Sequence, residues 1–153
     1  MLLAATKLAD DSIIACGEGG HVARVRAGAV VEATRPCEVD LLTAGVASSQ
    51  GGEPHILITG AGAWAFRVQL DPLRTVVEAV DTLSALSCMS IDELGNAWLG
   101  SSKGRILRRR DRHWRRMNRS FPGDPAVVTI FASTTRVRAL LADGNLVRGV
   151  PVG

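Results

Sequence analysis

The feature that most restricts what this chain can fold into is a short segment that returns about every forty residues. It reads Gly20-His21-Val22-Ala23-Arg24-Val25, then Ala63-Trp64-Ala65-Phe66-Arg67-Val68, then Gly104-Arg105-Ile106-Leu107-Arg108-Arg109, then Gly144-Asn145-Leu146-Val147-Arg148-Gly149. The aligned arginines, Arg24, Arg67, Arg108 and Arg148, stand 43, 41 and 40 residues apart. A turn rich in small residues precedes each segment, and before each turn lies a short apolar run such as Ile56-Leu57-Ile58-Thr59 or Ala139-Leu140-Leu141. Strand, glycine-bearing turn and strand make a β-hairpin, since glycine accepts the positive φ that tight turns need.

A second echo keeps the same register. Val30-Val31-Glu32-Ala33 follows the first hairpin and Val76-Val77-Glu78-Ala79 the second. Each unit also opens on an apolar run, at residues 2–8, 41–47, 83–89 and 127–132. Four short strands per forty-residue unit is the pattern of a β-propeller blade. The expectation is an all-β, propeller-like domain of four repeats over residues 1–38, 39–81, 82–125 and 126–153. The competing arrangement is a β-sandwich or barrel, which gives no reason to repeat an arginine at this interval.

The glycine hairpin followed by alternating apolar residues and arginine resembles the repeats of bacterial β-propellers of the photosystem-assembly-factor and BNR-like kind. Their Asp-box, S-x-D-x-G-x-x-W, is absent, so the resemblance carries over no site residue. The WD40 signature is also missing, because Gly20-His21 has no Trp-Asp about thirty residues later.

The fourth unit has room for three strands only. An arc of four blades exposes apolar flanks and unpaired strand edges, which favour association. Two outcomes are open: two copies joined into an eight-bladed ring (or this chain as half of a larger assembly), or a compact four-bladed monomer.

With 46% hydrophobic and 22% charged residues the chain has the composition of an ordinary globular protein. Its start lacks a basic region before a long apolar stretch, and no stretch has the length of a membrane-spanning helix. The expected location is the cytoplasm, away from membranes. Cys16, Cys37 and Cys88 are odd in number and far apart, which argues against a disulfide framework or a structural zinc site. They are expected to serve as small apolar residues.

Charge is concentrated in residues 103–119. Lys103, Arg105, Arg108, Arg109, Arg110, Arg112, Arg115, Arg116 and Arg119 stand there against Asp111 alone, whereas the whole chain carries only +3. Trp114 sits among them. Three readings follow: a solvated blade rim, an acidic protein partner, or nucleic acid whose phosphates meet arginines while a base stacks on Trp114. Trp64 and Trp98, in apolar contexts, are expected in the core. The four aligned arginines are expected to pair with carboxylates on neighbouring strands.

Catalytic signals are thin. The sequence holds no G-x-S-x-G, no H-E-x-x-H and no phosphate-gripping glycine-lysine loop. Asp10-Asp11, Asp92-Glu93 and Asp124 fall between strands, where carboxylates solvate turns or cap strand ends. His21, His55 and His113 are scattered. Three Trp, three Phe and no Tyr do not furnish a sugar-stacking pocket in every blade. No cofactor or metal is called for. The leading expectation is a non-catalytic protein-interaction scaffold or accessory subunit. The alternatives are polyanion binding through residues 103–119, and an enzyme with its site in a central channel.

Overall fold

The computed structural model describes residues 1–48 and 52–151. Fifteen strands fall into four antiparallel sheets, each from one consecutive stretch of chain. Blade 1 holds β1 (Leu2–Lys7), β2 (Ile13–Gly17), β3 (Val22–Arg26) and β4 (Ala29–Thr34). Blade 2 holds β5 (Leu41–Ala47), β6 (His55–Gly60), β7 (Ala65–Gln69) and β8 (Arg74–Val77). Blade 3 holds β9 (Leu86–Ile91), β10 (Ala97–Ser101), β11 (Ile106–Arg110) and β12 (His113–Arg116). Blade 4 has three strands among the described residues: β13 (Val127–Ala132), β14 (Val137–Leu141) and β15 (Leu146–Gly149).

The strands follow from period-two patterning. Along β5, for instance, fully buried and half-buried residues alternate without a break. The hairpin turns follow from glycine: Gly104 (φ +70°) and Gly144 (φ +86°) close the same turn in blades 3 and 4. Their amides donate to Ser101 O and Leu141 O at 3.2 and 3.0 Å.

Burial on both faces comes from blade packing on blade. Ile14, Cys16 and Val22 of blade 1 meet Leu41, Ile56, Ile58, Phe66 and Val68 of blade 2. Ala47, Leu57 and Ala65 of blade 2 meet Leu86, Ala97, Leu99, Leu107 and Trp114 of blade 3. Trp98 and Ile106 of blade 3 meet Val127, Ile130, Val137, Ala139 and Leu141 of blade 4. Every blade therefore has a forward face, turned to the next blade, and a backward face. The first strands form the inner tier, β1 on β5, β5 on β9 and β9 on β13. Among the described residues no comparable packing joins β13 to β1. This is an all-β propeller arrangement of four blades, the last short by one strand.

Two details depart from expectation. The first strand of blade 3 begins at Leu86 rather than Leu83, whose side chain is wholly exposed. A local turn intervenes, with Thr82 N donating to Val80 O and the Thr82 and Ser84 hydroxyls bonded together. Trp64 is not a core residue. It follows the turn Ala61–Ala63, stays 37% exposed, and stacks at 5.4 Å on the ring of Phe66, which takes the core position. Trp98, at 1% exposure, is core. No helix among the described residues is long and apolar enough to cross a membrane.

Candidate functional site

The repeated arginine sits on the forward face of the third strand in every blade, and its surroundings change from blade to blade. Arg24 is buried. Its guanidinium donates to Asp10 at 2.8 Å, Glu32 at 3.4 Å and Asp71 of blade 2 at 2.9 Å. The Asp71 hydrogen bond leads the causes that raise its pKa. Asp10 is pushed well below the usual carboxylate range, first by the Ser12 hydroxyl and amide and then by Arg24 and Arg26. Arg67 lies 3.8 Å from Glu78. The second echo in the sequence thus supplies the carboxylates, since Glu32 and Glu78 face the first two arginines.

Arg108 has no such carboxylate. It lies over the Trp98 ring at 5.1 Å, a cation–π contact, and its Nε is buried without a hydrogen-bond partner. Arg148 is exposed.

Alternation sorts the arginine-rich segment into two faces. Cross-strand pairs Arg108–Arg115 and Arg110–His113 put those four side chains on the forward face of blade 3. They line a cleft of about 480 Å³, with Asp111 as its acidic member. Among the described residues blade 4 has three strands, and none of them stands opposite β12. The cleft is cationic on a forward face that is apolar nearer the axis.

The pairs Arg109–Trp114 and Leu107–Arg116 point backward. Arg109 is 4% exposed and meets Glu78 Oε1 at 2.6 Å, and Trp114 Nε1 donates to Glu78 Oε2 at 2.9 Å. Arg109 and Trp114 therefore hold blades 2 and 3 together, while Trp114, at 8% exposure, also borders the cleft. Arg116 Nε donates to Asn118 O, and Arg105 donates to Ser120 and lies 3.9 Å from Asp124. Lys103 and Arg119 are exposed away from the cleft's lining. Arg112 (φ +65°) turns instead to an open hollow of about 1000 Å³ beside blade 2. There Arg67, Arg74 and Arg112 are matched by Glu53, Asp71 and Asp111, so the hollow favours neither sign.

Sequence reading missed His113 as a cleft member. The signal was available: residues two apart on a strand share a face, which groups 108 with 110 and 113 with 115. It also missed His55, whose Nδ1 lies 3.2 Å from both Arg109 Nη1 and Nη2. Burial first, then Arg109, Arg112 and Arg67, lower its pKa.

The loop carboxylates are structural. Asp92, 5% exposed, accepts from the amides of Leu94 and Asn96, the Asn96 side chain and Trp98 Nε1. Among the described residues no group of three His, Cys, Asp or Glu side chains is placed to hold a metal. All three cysteines are free, and burial pushes the Cys16 and Cys88 thiols up to about 11.

No family model and no curated protein sequence matches the chain. Solved structures do. The chain is similar to the β-propeller domain of Myceliophteria thermophila Cps50 (Swd1), with TM-score 0.70 at 14% identity over 97% of this chain and 53% of that one. It is similar to virginiamycin B lyase from Staphylococcus aureus, with TM-score 0.71 at 13% identity over 97% and 55%. It also matches the computationally designed Ika4 protein, with TM-score 0.77 at 9% identity over 98% and 91%. The chain thus spans about half the length of the two natural proteins and nearly all of the designed one. At these identities the likeness is one of fold: the chain has a β-propeller fold.

Proposed function

We propose that this protein is a non-catalytic, cytoplasmic interaction module that binds an extended acidic segment of a partner protein along the forward edge of blade 3. The observation that carries the reading is the cleft of Arg108, Arg110, His113 and Arg115 on the forward face of blade 3, with β15 the edge strand of blade 4 among the described residues. An exposed strand edge accepts an added strand through main-chain hydrogen bonds. A strand added to β15 would lie opposite β12, with one side facing those arginines. Carboxylates suit it because guanidinium groups bind them through paired hydrogen bonds.

Propeller and WD40-type domains typically serve as protein-interaction scaffolds, which agrees with this reading. Three free cysteines agree with a reducing compartment. A single-stranded nucleic acid fits less well, because Trp114 is 8% exposed and its indole is held by Glu78, which leaves little of the ring to stack on a base. The interaction reading extends to a second copy of the chain as one partner, since blades 1 and 4 keep open flanks.

Titration with an acidic peptide and with a generic oligonucleotide, followed by fluorescence anisotropy at several salt concentrations, tests the proposal. Peptide binding that weakens with salt and is lost in Arg110→Glu/Arg115→Glu is expected. Equal loss in a control that reverses Lys103 and Arg119 would disprove the cleft assignment. A stronger response to the oligonucleotide would favour the polyanion reading.

A further inference from the structure

We infer that two copies of this chain close head to tail into an eight-bladed ring, the forward face of blade 4 in each copy seated on the backward face of blade 1 in the other. The inference takes up the interaction-module reading for one partner and is independent of the arginine cleft.

Three observations carry it. First, each of the three inner junctions is a hydrophobic core made by a forward face on a backward face, and among the described residues no comparable fourth junction joins blade 4 to blade 1. The two faces left over are one of each kind. On blade 4 the forward face shows Phe131, Leu140 and Leu146, at 64%, 38% and 53% exposure. On blade 1 the backward face shows Ile13 and Val30, at 38% and 63%, joined across the sheet through Val25. Beside them runs the shallow cross-strand line of Ala5, Ala15, Ala23 and Ala33. Apolar side chains on a forward face against apolar side chains on a backward face repeat the junction of blades 3 and 4, where Trp98 and Ile106 pack with Ile130, Val137 and Leu141.

Second, 97% of the chain aligns with 53% of the Cps50 propeller and with 55% of virginiamycin B lyase, about half of each. Four blades packed in this way fill about half of a larger propeller.

Third, the exposed area exceeds the average for a folded chain of this mass. A folded chain of this mass is expected to expose about 7,500 Å², and this one exposes 8304 Å². The surplus, about 800 Å², is the area that each partner of a stable complex buries. A two-fold axis generates both junctions at once and leaves no flank free, so association stops at two copies.

Light scattering on the purified chain at tens of micromolar is expected to give about twice 16.2 kDa. Leu146→Glu spoils the blade 4 flank and Ile13→Lys the blade 1 flank, so each variant alone should run as a folded monomer by circular dichroism. Mixing them in equal amounts should restore the two-copy mass. The mixed ring has one untouched junction, and its other junction sets the introduced carboxylate near the introduced ammonium group. If either single variant fails to fold, Phe131→Glu and Val30→Lys, at more exposed positions of the same flanks, replace the pair.

A monomeric parent chain would overturn the ring, as would dissociation by only one of the two variants or a mixture that stays monomeric. None of those results would touch acidic-peptide binding, which the monomer retains. Loss of peptide binding with the ring intact would overturn only the cleft.

Discussion

Glu78 of blade 2 binds Arg109 of blade 3 at 2.6 Å, with both side chains more than nine-tenths buried. Its second oxygen takes hydrogen bonds from Arg109 Nε at 2.8 Å and Trp114 Nε1 at 2.9 Å. One carboxylate thus satisfies three N–H donors from two side chains across the junction. Removing one partner of a buried pair leaves the other charge uncompensated.

Glu78→Ala should accordingly cost about 3 kcal/mol or more in urea unfolding. Trp114→Phe, which removes one N–H donor and part of the indole but leaves the Arg109 pair in place, should cost less, about 2 kcal/mol. Equal losses for the two variants would show that Glu78 does not hold the junction.

His55 makes the same junction sensitive to acid. Burial, with Arg109, Arg112 and Arg67 around it, holds its pKa below the ordinary 6.5. The unfolded chain therefore takes up the proton first as the pH falls. The stability contribution is complete above about pH 6.5 and declines as the pH drops from there toward the folded-state value. In His55→Asn an amide oxygen can still accept from Arg109 without titrating. The fall in urea midpoint between pH 7 and pH 5 should be smaller in that variant than in the parent chain.

Arg24 ties blade 1 to blade 2 through a planar fork that meets Asp10 and Asp71 at once. An ammonium group cannot reproduce that fork. Arg24→Lys should cost about 2 kcal/mol, the scale of a lost hydrogen bond to a charged group. Arg148→Lys, with an exposed side chain, should leave the monomer's thermal midpoint unchanged.

Gly100 marks the tightest approach of blades 3 and 4. A Cβ there would lie 2.5 Å from Cys88 Sγ and 2.5 Å from Val127 Cγ1. Gly100→Ala should cost about 2 kcal/mol through overpacking. Adding Cys88→Ala, which removes the sulfur, should recover part of the loss in thermal denaturation. An unchanged midpoint in Gly100→Ala would show that the junction has slack.

Much of the architecture was legible in the residues alone. The spacing of Arg24, Arg67, Arg108 and Arg148 marked four hairpins, and the strands Leu41–Ala47 and Val127–Ala132 match the expected residue ranges. The expected pairing of arginine with a carboxylate held for Arg24 and Arg67. It did not hold for Arg108, because the residue opposite it on β12, where blade 1 has Glu32 opposite Arg24, is Arg115. Trp64 was misplaced for a related reason: an apolar neighbourhood in sequence does not say whether a side chain sits inside the sheet or one residue before it. The segment 103–119 was legible as a concentration of charge, but its division between cleft and core was not.

By itself the sequence determined the local rules: where strands run, where glycine turns them, and how often the unit repeats. Those depend on period-two alternation and on φ values that only neighbouring residues set. Tertiary structure alone decided which of two faces each side chain joins. That choice depends on the blade packed opposite, which is why Arg109 became half of a buried ion pair and Arg110, its neighbour, part of an open cleft.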